Sequence, residues 1–145
     1  MCWVLAGCAS APEPVDPANV LRLSADALHP AGSDLVISMG RDRGGVVRVV
    51  SRLLAAPPDR TVSCGDGEGV ALVGWASGLT LYFDSDGLAG WAAAGTGLST
   101  VDGLSIGQPP VAADPRIRAE VFDGVVRVMR SGRSCAAGGA GPLAG

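Results

Sequence analysis

The chain has 145 residues, of which 48 % are hydrophobic and only 4 % aromatic, with 22 glycines, 10 prolines and a formal charge of -3. That length and composition allow one domain with an aliphatic core. A weakly acidic chain without a basic block excludes nucleic acid as a partner, because phosphate binding needs clustered cations. No apolar run reaches the roughly 18–20 residues of a membrane-spanning helix.

Met1–Ser10 reads MCWVLAGCAS. Leu5-Ala6-Gly7-Cys8 resembles a bacterial lipobox, and the resemblance implies that residues 1–7 are cleaved and that Cys8 carries lipid at the new N-terminus. A full signal needs a charged n-region and an apolar h-region of roughly 7–15 residues, and the segment before Cys8 is shorter and carries no cationic side chain. Residues 8–32 then read as lipid attachment and a Pro/Ala-rich tether, since APEPVDPAN can build neither helix nor ladder. Asn19–Leu28 has room for a short helical turn, and His29 before Pro30 leans extended. With Cys2 cleaved and Cys8 lipidated, Cys64 and Cys135 remain as one pair. They form a disulfide in an oxidising envelope and stay two free thiols in a reducing compartment. No C-x-x-C and no neighbouring His accompanies them, so the sequence predicts no metal site there.

The domain is expected over 33–130. Leu35–Met39 is a short apolar run, a strand or the lead-in to a helix. Asp42 can cap the segment after it. Val46, Val49, Val50 and Leu53 recur at i, i+3, i+4 and i+7, which predicts an amphipathic helix over about 42–56, ended by Pro57-Pro58. Arg41, Arg48 and Arg52 fall on the opposite side, either as a solvated face or as a surface for an anionic partner. Val62–Cys64 can add a strand. Val70–Trp91 then holds three apolar runs separated by Ala76-Ser77-Gly78 and Asp84-Ser85-Asp86-Gly87. Leu79, Leu81 and Phe83 alternate with Thr80 and Tyr82, the period of a half-buried strand. The Asp-Ser-Asp-Gly step is hairpin chemistry, with Gly87 taking the positive φ that closes the turn. The parity of Tyr82 points it away from the core and makes it a candidate partner surface, while Trp75 and Trp91 read as core. Ile117–Phe122 and Val125–Met129, joined by Asp123-Gly124, form a second hairpin. Residues 131–145 are Gly- and Ala-rich and are expected to be disordered. The fold class is therefore α+β: one helix packed on an antiparallel meander of about four to six strands.

Cys64-Gly65-Asp66-Gly67, Trp75, Gly78-Leu79-Thr80-Leu81-Tyr82-Phe83, Gly90-Trp91 and the Thr100–Gly107 stretch resemble a family of small exported bacterial proteins of unknown function, over roughly Asp34–Gly107. That family brings no activity. At the level of fold, a helix on an antiparallel sheet is similar to β-lactamase-inhibitor-like and small outer-membrane assembly lipoproteins, an analogy that carries no function. Leu35–Gly40 and Leu104–Gly107 look like equivalent lead-ins, but prolines after Gln108 forbid a second helix there.

Three chemical motifs compete with a reading as plain turns. Gly103-Leu104-Ser105-Ile106-Gly107 matches the nucleophile elbow, which needs a strand before it, a helix after it and a later His. The single His, His29, lies upstream. Asp84 and Asp86 match part of a calcium loop that lacks its terminal Glu. Gly65–Gly69 lacks the Lys of a phosphate loop. The expectation is a non-catalytic, cofactor-free envelope lipoprotein, held to the membrane by Cys8, that binds a protein or surface polymer. The alternatives are a hydrolase or metal-dependent enzyme using Ser105 or Asp84/Asp86, and a cytosolic domain from a mis-called gene.

Overall fold

The hairpin around Asp84–Gly87 fixes the rest of the architecture. In the computed structural model, which describes residues 20–64 and 69–135, β6 (Leu79–Asp84) and β7 (Gly87–Ala93) pair antiparallel across a Ser85-Asp86 loop. The Asp84 carboxylate accepts the Asp86 N–H at 2.9 Å, and Gly87 takes φ +106°. A side chain at Gly87 would also strike the Arg41 carbonyl. That close approach lets Leu88 N–H donate to Arg41 O and Gly40 N–H donate to Leu88 O, both at 2.8 Å. The turn thereby grips the chain just ahead of the helix.

Six strands form the larger sheet in the order β4-β5-β6-β7-β9-β8, with β4 Arg60–Ser63, β5 Ala71–Gly74, β8 Arg118–Phe122 and β9 Val125–Gly132. All of its pairings are antiparallel. The β8–β9 turn is the expected Asp-Gly hairpin: Asp123 and Gly124 sit at φ +52° and +75°, as a two-residue primed turn requires. β9 runs to Gly132, and Cys135 is bonded to Cys64, so 131–135 belong to the fold rather than to a loose tail. The remainder of the expected tail, 136–145, lies outside the described residues.

The helix α1 spans Arg43–Leu53, shorter at both ends than the pattern implied. Asp42 is its N-cap, accepting Gly45 N–H at 2.7 Å. It ends before the prolines because Ala55 adopts φ +52°, while Ala56 N–H donates to Ser51 O and Ala55 N–H to Arg52 O, the paired bonds of a Schellman stop. Glycine is the usual residue at this position, since a Cβ costs roughly 1 kcal/mol in the left-handed region. Ala55→Gly is accordingly expected to stabilise the protein by up to about 1 kcal/mol, read as a higher urea midpoint at unchanged slope.

Residues 20–32 correct the expected tether. Leu21–Ser24 is β1 and Ala27–Pro30 is β2, and with β3 (Ile37–Ser38) they make a second, three-stranded antiparallel sheet. Leu21, Leu23 and Leu28 are fully buried, so residues ahead of 33, from Val20 on, belong to the folded unit. His29 lies in β2, extended as the step before Pro30 implies.

Helix and small sheet together cover one face of the large sheet. Val46 and Val50 from α1, Leu21, Leu23 and Leu28 from the small sheet, and Leu79, Leu81, Phe83, Trp91 and Met129 from the large sheet share one core. Two tryptophans tie the layers: Trp75 Nε1 donates to Ser51 Oγ of α1 at 3.2 Å, and Trp91 Nε1 donates to Ser24 O at 2.8 Å. Ser131, the register partner of Trp91, donates its hydroxyl to Ala25 O at 2.7 Å. Residues 98–108 bridge the sheets: Leu23 N–H donates to Ser99 O, and Gly107 N–H to Val126 O.

Candidate functional site

The opposite face of the large sheet holds the predicted cysteine pair. Cys64 and Cys135 are joined, with Cα atoms 5.4 Å apart. The bridge packs with Val70, Leu72, Tyr82 and Ala92 in a second, smaller apolar cluster. Tyr82 does point away from Leu81 and Phe83, as its parity requires, yet it is only 1 % exposed. It therefore adds nothing to a partner surface. The segment after β9 brings Cys135 over this face, where it packs against the cluster that holds the ring.

Burial raises the Tyr82 hydroxyl above its ordinary pKa of 10.0, against the weaker pull of Arg130 and Arg60. The chain has one tyrosine, so its ionisation can be read directly by absorbance near 295 nm. The native protein is expected to titrate above pH 10 and the urea-unfolded chain near it. Because the folded state holds this proton more tightly, its contribution to stability is complete below the unfolded value and is lost as pH climbs through the folded one.

The Arg41, Arg48 and Arg52 side chains are where the periodicity placed them, exposed on the solvent side of α1 and its lead-in. Among the described residues none of the three has an ion-pair partner.

The motif around Ser105 is a turn. Gly103 and Gly107 take φ +92° and +85°, Thr100 N–H donates to Leu104 O, and Ser105 Oγ contacts Gly103 O at 3.4 Å. No helix follows it among the described residues, so the strand–elbow–helix geometry is absent there. Asp84 Oδ2 instead accepts Arg133 Nη1 at 3.2 Å, and Asp84 Oδ1 closes its own turn. Among the described residues no three acidic, His or Cys side chains converge as a metal site. Cys8, Asp66 and Glu68 lie outside the described residues.

Two polar features escaped the sequence. His29 Nε2 and Ser24 Oγ share a hydrogen bond at 2.8 Å across the β1–β2 hairpin, and Ser24 Oγ also lies 3.3 Å from Asp26 Oδ1. The hydroxyl stands between ring and carboxylate. A nucleophilic triad needs the imidazole in that middle place, so that the carboxylate orients it. The second feature is Arg60, laid over its register partner Gly74, with its Nε buried and without a hydrogen-bond partner among the described residues, beside a recess of about 310 Å³ lined by Asp59, Trp75 and Thr80. An orphaned buried donor is destabilising, and an apolar chain of similar length removes it. Arg60→Met is therefore expected to leave the urea midpoint unchanged or higher, and to push the Tyr82 titration further up by deleting one attracting cation.

No family model, curated protein or solved structure matches this chain. Among the described residues no helix is long and apolar enough to cross a membrane.

Proposed function

We propose that this chain is an exported envelope domain, tethered by lipid on Cys8, whose role is binding or structural rather than catalytic. The Cys64–Cys135 bridge carries the reading, because disulfides persist in oxidising compartments and are rare where thiols are kept reduced. The lipobox-like Leu5-Ala6-Gly7-Cys8 and the Pro-rich 11–19 supply an anchor and a spacer on the N-terminal side of the fold. Cell fractionation with intact-mass analysis in the host tests it. The expected product sits in the membrane fraction, begins at an acylated Cys8, and exposes two alkylatable thiols only after reduction. A full-length chain in the cytosol with Cys64 and Cys135 freely alkylated would overturn it.

A further inference from the structure

Between β3 and α1 runs a groove of about 220 Å³, walled by Leu35, Val36, Val46 and Val49 and flanked by Arg41. Leu35 and Val36, adjacent in the chain, are 50 % and 39 % exposed and both line it. Beside it, positions 45, 48 and 52 form one row along the helix at spacings of three and four, and Arg41, ahead of the cap, lines the groove itself. Among the described residues Arg41, Arg48 and Arg52 have no ion-pair partner, and Gly45 keeps the helix row low next to the groove.

Residues 41–52 carry four arginines against one aspartate, although the whole chain is net -3. That aspartate, Asp42, is occupied as the helix cap. Two further acids are exposed nearby, Asp34 ahead of Leu35 and Asp86 on the turn that grips Gly40 and Arg41.

We propose that this groove and its arginine row dock on the anionic surface of a lipid bilayer. Phosphates meet Arg41, Arg48 and Arg52, and Leu35 and Val36 enter the headgroup–acyl boundary, with the groove taking acyl methylenes. An apolar fringe beside a cationic row is the pattern of interfacial binding. The proposal rests on the anchored reading for proximity alone. Val20 O accepts from Ala31 N–H, and the register Leu21↔Pro30 and Leu28↔Ile37 puts Val20 and Leu35 beyond the same end of the small sheet. The chain thus enters the fold at the groove's end. Eleven residues lie between Cys8 and Val20, twelve Cα steps with a reach of about 40 Å when fully extended. An anchored domain is held where even weak docking is favoured by effective concentration.

The test uses the full chain with Cys8→Ser, so that no acyl group contributes. It is floated with vesicles of phosphatidylcholine alone and of phosphatidylcholine with phosphatidylglycerol in equal parts. Binding is expected to the mixed vesicles only and to disappear in molar salt. The triple variant Arg41→Gln, Arg48→Gln, Arg52→Gln is expected to lose roughly 100-fold in partitioning, from three surface charges. Leu35→Ser is expected to lose a smaller factor at unchanged salt dependence. All four positions are exposed, and the wild-type lipid and salt comparisons need no variant. Equal binding to both vesicles, no binding to either, or a triple variant that floats like the parent would overturn the proposal. So would capture by soluble polyglutamate without flotation, which would make the occupant an acidic protein. A concentration-dependent dimer broken by Leu35→Ser would likewise assign the groove to a second copy. An unacylated Cys8 in the host with flotation intact would remove the anchor and keep the docking; acylation without flotation would do the reverse.

Discussion

Trp91→Ala is expected to remove most of the stability of this domain. The indole is fully buried at the centre of the shared core, and truncating a buried aromatic to alanine costs roughly 3–5 kcal/mol. The same change deletes the bond that Trp91 Nε1 donates to the Ser24 carbonyl at 2.8 Å, which adds roughly 0.5–1.5 kcal/mol. Against a total of about 5–15 kcal/mol for an ordinary domain, the sum leaves little margin. Trp91→Phe separates the two contributions, since it keeps most of the apolar contact and loses the donor. Ser131→Ala deletes the adjacent bond to Ala25 O while barely changing volume, and is expected to cost roughly 1–3 kcal/mol. Trp91 and Ser131 are register partners gripping consecutive carbonyls, so the Trp91→Phe, Ser131→Ala double variant should fall short of the summed single effects. Strict additivity in urea unfolding would mean that the two bonds hold the small sheet independently.

The elements legible in the sequence are those whose cause is local. Asp84–Gly87 and Asp123-Gly124 specify their turns through their own side chains and a permitted positive φ, so both hairpins lie where the residues put them. Val46 and Val50 could be placed on the sheet, and Arg41, Arg48 and Arg52 in solvent, from helical spacing alone. The β1–β2 hairpin had no such signal. Its turn is Ala25-Asp26, without glycine, and its alternation is only Leu21 and Leu23 before a His-Pro step. What holds it is distant: Trp91 and Ser131 on its turn carbonyls, and the Leu23–Thr100 bridge on its edge. The contact between His29 and Ser24 was hidden for the same reason, since five residues apart they meet only once the hairpin exists. Tyr82 shows the limit of parity. Alternation says which side of a sheet a residue takes, and what packs on that side, here the Cys64–Cys135 bridge with Val70 and Leu72, decides whether it is wet.

That packing makes reduction of the disulfide the second large effect. The bridge closes a loop with a sequence separation of 71, for which chain entropy gives about 4 kcal/mol at 25 °C, acting by confining the unfolded chain. Reduction is expected to lower the urea midpoint by roughly 2 M if the slope is near 2 kcal/mol per molar. The slope itself should rise, because an unbridged chain unfolds to a more open state. The paired Cys64→Ala, Cys135→Ala variant should match the reduced protein, which distinguishes loss of the cross-link from loss of packing at one sulfur. Breaking the bridge also frees the segment packed against the cluster that holds Tyr82, so the hydroxyl should titrate closer to 10.0 in the reduced native protein than in the oxidised one. An unchanged Tyr82 titration together with a lowered midpoint would place the whole effect in the unfolded chain. An unchanged midpoint would mean that the Leu72–Tyr82–Ala92 cluster keeps its cover without the bridge, and the case for an oxidising compartment would lose its energetic reason.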